Sequence, residues 1–280
     1  MERGNLRPLV TCLSHPLTKK AVSVKIKAMS KTENDSMSRR EFLNLTKLAL
    51  GAGALGYVPE WLRRTIPYIA SGDRNSNKVA ITIDDGWYPD KVEQAMAYLS
   101  GVPASFFIVG TVMQASPDLY RSAIDSGVEI HNHTWDHRYL NAEGVNVNDE
   151  IVGWENAYLK LDRGVYKNKV LRAPANEGIN DPDVYGALDY HGYSALLGWT
   201  YGSPGVYSRY TSTDVVNFVL PKLLGGDIIL MHFTPADIEA LPEIVKGIKD
   251  KGLEPVGLTG LPGIPIYIDT RRSTPRYLPR

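Results

Sequence analysis

Seven consecutive residues, HNHTWDH at 131–137, hold three of the chain's six histidines together with an acid. His133 and His137 stand four apart, a spacing that brings two imidazoles together on one helical turn or across a tight loop. Upstream, TIDDG carries the adjacent carboxylates Asp84 and Asp85. Two such acids at the end of an apolar strand repel each other unless a cation or a proton intervenes. Successive side chains leave a strand on opposite sides, so one acid can bind an ion while its neighbour handles protons. Two imidazoles and one carboxylate make the three-ligand set of catalytic zinc and other hydrolytic metals, with positions left open for water. Each feature also has a plainer reading. The acids can cap the helix that opens at PDKVEQ, and a lone histidine in such a place is usually a hydrogen-bonded structural residue. A histidine pair at ligand spacing, with an acid pair upstream, favours the metal. The extra imidazole, His131, is read as facing the core rather than the ion.

The ligand chemistry is narrowed by composition. Cys12 is the single cysteine of the 280 residues. No internal disulfide and no thiolate cluster can form, so a metal must be held by His, Asp or Glu. That donor set suits zinc, with cobalt or another divalent ion as alternatives. Lys plus Arg and Asp plus Glu both number 31, giving zero net charge. No electrostatic footprint for nucleic acid results.

These residues must be brought together by the elements between them. Short apolar runs at 78–83, 104–109, 128–132, 169–173, 193–199, 227–232 and 253–258 read as strands. Amphipathic stretches at 89–101, 116–127, 148–164, 180–192, 212–226 and 235–252 alternate with them, most of them closing on Gly as helix C-termini do. The alternation predicts a parallel α/β fold, and the seventh strand with its connections is expected to close a barrel. TIDDG, HNHTWDH, RAPANEG and LMHF all fall at or near strand C-termini. In parallel α/β folds those ends meet on one face, where sites form.

Residues 1–37 are basic, polar and aperiodic, and read as disordered or as a mis-assigned start, with Met29 and Met37 as alternative starts. From 38 to 58 the chain reads SRREFLNLTKLALGAGALGYV. The pair Arg39-Arg40, followed by Phe42-Leu43 and a mild Gly/Ala/Leu run, resembles a twin-arginine export signal; the apolar run is too short for an ordinary membrane-spanning helix. A surface helix starting at Ser38 is the plainer alternative. Residues 59–77 are expected to be a linker and 259–280 an irregular tail.

TIDDG, NHTWDH, RAP and LMH occur in the order found in polysaccharide deacetylases, the NodB-homology domain of carbohydrate esterase family 4, and residues 78–258 resemble that domain. The resemblance implies a deformed (β/α)7-8 barrel with parallel strands and a metal-dependent removal of N- or O-acetyl groups from carbohydrates. It implies Asp84 as general base, Asp85, His133 and His137 as metal ligands, Arg172 as the group that holds the base, and His232 as general acid. A backbone N–H near Ala175 would meet the oxyanion and Leu230 would line the acetyl pocket; apart from the resemblance, Trp87 and Trp199 are rim aromatics expected to stack on sugar. Tyr88, Trp135, Tyr201, Tyr207 and Tyr210 are further aromatics at or near the proposed rim.

The chain departs from the family at several points. His131 stands where Gly is usual, and Trp87 where Pro is usual. The third motif reads RAPAN in place of R-P-P-Y-G. ALLGWTYGS supplies Trp199 without the Asp that the fourth motif pairs with the motif-three Arg. The expected partners are a carbohydrate substrate and the twin-arginine export machinery, with the protein exported to the cell envelope or beyond and tethered if the signal stays uncut. Two other functions fit the same residues: hydrolysis of another non-peptide C–N bond, and a degenerate envelope protein that binds glycans.

Overall fold

β2 runs Lys78–Asp85 and shows how the whole sheet is built. Val79, Ile81 and Ile83 join the larger apolar cluster shared with the helices. Ala80, on the other face, joins a smaller cluster with Phe107, Val170, Ala195, Leu197 and Ile228. A strand buried on both faces reads as a continuous apolar run, as parallel sheets require. This computed structural model describes residues 66–265 except residue 165. The expected extension 1–37 and signal segment 38–58 lie outside the described residues.

All seven expected strands occur, most of them shorter than expected. They are β2, β3 (Ser105–Ile108), β4 (Glu129–Asn132), β5 (Val170–Leu171), β6 (Ala195–Leu197), β8 (Ile228–His232) and β9 (Glu254–Val256). Two more are only two residues long, β1 (Tyr68–Ile69) and β7 (Tyr201–Gly202). The sheet order is β1-β6-β5-β4-β3-β2-β8-β7, with every ladder parallel. The result is a curled, parallel-stranded half-barrel with helices outside it, the deformed (β/α) barrel expected from the sequence.

The seventh expected strand does not close it. β9 lies against Lys78–Ala80 of β2, below the start of β3. The edges are β1 and β7. Near the gap between them, the Thr200 hydroxyl donates to the Ala70 carbonyl, and Ser71 and Asp227 form a single antiparallel bridge. Residues 66–77 are therefore not simply a linker, since they supply an edge strand. Leu261 of the expected tail is also buried, in the inner apolar cluster.

The six expected helices are present as α1 (Pro89–Tyr98), α3 (Pro117–Asp125), α4 (Val147–Leu159), α5 (Pro182–Tyr190), α6 (Ser212–Val219) and α7 (Pro235–Asp250). Pro221 ends α6 early, and the rest of that stretch includes a 3-10 turn, Leu220–Lys222. α2 (Gly110–Ala115) has no counterpart in the sequence reading; it follows β3 almost directly and has no side-chain cap. Among the described residues, no helix is long and apolar enough to cross a membrane.

Register then decides which side chains share the inner face. Leu230, Thr82, Ser105 and Glu129 are successive Cα partners across four strands. Two residues further along, His232, Asp84, Phe107 and His131 form the next row. Parallel partners point the same way, so Asp84 and His232 stand side by side at the top of the inner face.

His131 takes the core-facing role expected of it. Its Nε2 lies 3.2 Å from Glu129 and its Nδ1 3.0 Å from the Tyr166 hydroxyl, and its ring packs on Phe107. Burial pushes the Glu129 carboxyl up, but His131, Thr259 and Ser105 outweigh this and hold it at about 2.

Candidate metal centre and active site

The backbone at the strand C-termini is bent to gather side chains. Of the six described non-glycine residues with positive φ, five sit here: Asp85, Thr134, His137, Ala175 and Asn176. Such conformations are costly away from glycine and concentrate where function over-determines the fold. Strand alternation would send Asp84 and Asp85 to opposite sides. At Asp85 φ is 84° and at Gly86 it is 95°, which turns the second carboxylate back to the first one's side.

The loop carrying the histidines is held at each step. Asn132 Oδ1 accepts from Thr134 N–H at 2.7 Å, and Thr134 Oγ1 accepts from His137 N–H at 3.0 Å. Glu150 of α4 accepts from the Trp135 and Asp136 N–H groups. Trp135 packs against Gly110 and Gly153, where any Cβ would strike its indole. It is a wedge beneath the loop, so its place among the expected rim aromatics is corrected.

His133 Nε2 lies 3.3 Å from Asp85 Oδ1, and His137 Nε2 lies 3.2 Å from the same oxygen. The three ligand atoms all fall within 4.8 Å of one another. His133 Nδ1 is 2.9 Å from the Arg172 carbonyl, which accepts only if Nδ1 carries the proton. Nε2 is then the lone-pair nitrogen, the arrangement by which an outer hydrogen bond fixes a ligand histidine. Asp85 Oδ1 is buried and lacks a hydrogen-bond partner, although both imidazole nitrogens face it. A divalent cation among the three satisfies all of them at once, so these residues fit a metal.

Electrostatics agree. Burial pushes the Asp85 carboxyl up, but the His133 and His137 imidazole nitrogens that face it, with the charge of His133 and His232, outweigh this and hold it far below the usual range. Burial pushes His133 down, and the charges of Asp84 and Asp85 reverse that, so it is raised overall. A proton and a cation compete for this pocket.

Beside the trio, Arg172 is fully buried. It donates to Asp84 Oδ1 at 2.6 Å, to Thr82 Oγ1 at 2.9 Å and to the Gly198 carbonyl at 2.9 Å. Its guanidinium lies 4.0 Å from the Phe107 ring centroid. Arg172 thus reaches Asp84 directly, without the acid that ALLGWTYGS lacks; the Gly198 carbonyl takes one of its other N–H groups. Asp84 Oδ2 is 3.7 Å from His133 Nε2.

His232 is part-exposed, and its backbone N–H donates to Asp237 Oδ2 at 2.7 Å. Sequence reading passed over Asp237, because an acid in the first turn of a helix looks like any capping residue.

The residues expected to meet substrate divide. Leu230 is buried on the inner face, two residues before His232. Ala175 is exposed in a left-handed turn with φ 52°. Trp87 is 47% exposed and meets the His137 ring edge to face at 6.1 Å. Trp199 is half-buried against the inner cluster, 5.8 Å from the Arg172 guanidinium. Tyr201 is tied down by donating to the Lys222 carbonyl.

Residues 71–196 match the family model described as polysaccharide deacetylase. That stretch is a polysaccharide deacetylase domain. Like its relatives it is a hydrolase of non-peptide carbon–nitrogen bonds. A peptidoglycan-N-acetylglucosamine deacetylase of Bacillus cereus is 29% identical over 185 residues, covering 64% of this chain and 84% of that one. A chitooligosaccharide deacetylase of Sinorhizobium fredii is 28% identical over 205 residues, covering 68% and 92%.

Among solved structures, a peptidoglycan N-acetylglucosamine deacetylase superposes with a TM-score of 0.65 at 24% identity, covering 75% of this chain and 99% of that one. A second match, a CE4 family pseudoenzyme from Bacillus anthracis, has a TM-score of 0.64 at 20% identity, covering 71% and 69%. At these identities the structures establish the fold alone.

Proposed function

We propose that this chain is a metal-dependent hydrolase that removes N-acetyl groups, or O-acetyl groups, from a carbohydrate polymer or oligomer. One observation carries the reading: two imidazole nitrogens and a partnerless buried carboxylate oxygen converge within 4.8 Å at the barrel rim. Asp85, His133 and His137 hold the ion, and zinc is the preferred identity for this donor set. When bound, such an ion makes water more acidic and polarises a carbonyl. Asp84 takes the proton of the attacking water while Arg172 holds its other oxygen. The backbone N–H at Ala175 donates to the developing oxyanion. His232 passes a proton to the leaving nitrogen, which departs poorly as an anion. Leu230 lines the acetyl pocket, and Trp87 and Trp199 contact the sugar.

The relatives named as peptidoglycan and chitooligosaccharide deacetylases support an N-acetylated glycan as substrate. The test is acetate release from chitooligosaccharides, peptidoglycan and acetylated xylan, with and without chelator. Protein purified without chelator should hold about one divalent ion per chain, the occupancy of a mononuclear three-ligand site. Its activity should vanish on chelation and return with added metal. Activity on all productive substrates that survives complete metal removal would end the metal-dependent reading.

We further propose export through the twin-arginine machinery, supported by the sequence at Ser38 to Leu43. Arg39→Lys with Arg40→Lys should retain the protein in the cytoplasm, scored by cell fractionation. Undiminished export of the double variant would overturn this.

A further inference from the structure

We propose that Asp237 is the carboxylate that positions His232 for proton delivery. The inference rests on the deacetylase reading above. Asp237 is the third residue of α7, and its side chain is fully buried. An ordinary helix-capping acid at that position sits at the surface, where solvent shares the work of stabilising its charge. This one instead points inward, toward the strand that carries His232.

Both carboxylate oxygens are committed. Oδ1 accepts from the Ser203 hydroxyl, and Oδ2 accepts from the His232 backbone N–H at 2.7 Å. The close approach is built in: a Cβ at Gly205 would collide with this carboxylate. Oδ2 lies 4.0 Å from His232 Nδ1. That is too long for a hydrogen bond but within reach of an ion pair.

The imidazole completes the case. His232 Nδ1 is buried without a hydrogen-bond partner, while 19% of the side chain is exposed. The exposed part therefore belongs to the other edge of the ring, where Nε2 lies. Placing the proton on Nδ1 turns its N–H toward the buried negative charge and leaves Nε2 to work at the open side. When Nε2 takes up a proton, the Asp237 carboxylate is the buried counter-charge for the imidazolium. Asp237 touches no reacting atom in this scheme and acts through His232, in the manner of an acid that orients a catalytic histidine.

The test uses metal-loaded, full-length protein and two substrates. N-acetylated chitooligosaccharide needs a proton on its leaving nitrogen, whereas 4-nitrophenyl acetate expels a stable phenolate and needs none. Asp237→Asn should lower kcat on the amide about 10²-fold with KM little changed, the low end of what general acid catalysis supplies. Ester hydrolysis should stay within about 3-fold, because the acid is not needed there. In a His232→Gln background the Asp237→Asn change should have no further effect on the amide, since residues acting as a unit are not additive. Equal losses on both substrates, or additive losses, would mean a merely structural role and overturn the proposal.

A second measurement needs no Asp237 variant to fold. In ¹⁵N-histidine spectra of the wild-type protein, assigned against His232→Gln, the neutral His232 ring should carry its proton on Nδ1. A proton on Nε2 instead would also overturn the proposal. Wild-type protein inactive on every N-acetylated glycan would count against the deacetylase reading, and the tautomer result would still decide the role of Asp237.

Discussion

Asp84→Asn should lower acetate release by about 10³-fold, within the range general base catalysis supplies, and leave metal content near that of the wild type. The asymmetry between the two adjacent acids carries the expectation. Asp85 Oδ1 faces both imidazole nitrogens at 3.2 and 3.3 Å, whereas Asp84 Oδ1 is taken by Arg172. Asn at 84 can still accept from Arg172, so the position of the side chain survives, but an amide oxygen is far too weak a base to take a proton from water. Asp85→Asn should behave in the opposite way, losing metal and activity together, because a neutral amide is a much poorer ligand than a carboxylate for a divalent cation. Elemental analysis of both variants beside acetate release separates the roles. Metal loss in the Asp84 variant with retention in the Asp85 variant would reverse the assignment.

The neighbouring acids also show what the sequence could and could not convey. Adjacency signalled chemistry, and strand alternation suggested opposite faces. The positive φ at Asp85 is invisible in a sequence that has Asp and not Gly there, yet it places both carboxylates in one cluster. Apolar strands and gly-ended helices were legible because burial on two faces demands continuous hydrophobic runs. β1 and β7 were not, since two residues carry no period. The fate of β9 was hidden because a three-residue strand can pair at an edge or beneath a longer neighbour with the same composition.

His131 was readable as a core residue, but its partner Glu129 became evident only once register put Ser105, Phe107 and Tyr166 around the pair. Trp135 looked like a rim aromatic, and the two glycines that accept its ring lie 25 residues before and 18 after it (135 − 110 and 153 − 135). The missing fourth-motif acid looked like a loss of control over Asp84. The barrel resolves it through Arg172, whose three bonds cross from β5's end to β2 and β6.

Arg172→Met should therefore be damaging twice over. The guanidinium is fully buried and its charge is balanced by Asp84, itself 2% exposed. Burial alone pushes Arg172 down, and the Asp84 carboxylate opposes this. Removing one member of such a pair leaves the other as an uncompensated buried charge, a cost of about 3–5 kcal/mol. Thr82 and the Gly198 carbonyl also lose donors. Thermal unfolding should show the loss directly. Activity should fall by about 10²-fold or more in the fraction that stays folded, because the guanidinium that holds the Asp84 carboxylate in place for proton transfer is gone.

Arg172→Lys keeps the charge but not the planar fork, and should recover stability only in part. The deciding variant is the double change Asp84→Asn with Arg172→Met. With both charges gone, no unpaired ion remains, so the double variant should unfold at a higher temperature than Arg172→Met alone while staying as inactive as Asp84→Asn. A double variant whose stability loss equals the sum of the single losses would show that the two side chains are not coupled, and the barrel would then hold Asp84 by some means other than the arginine beside it.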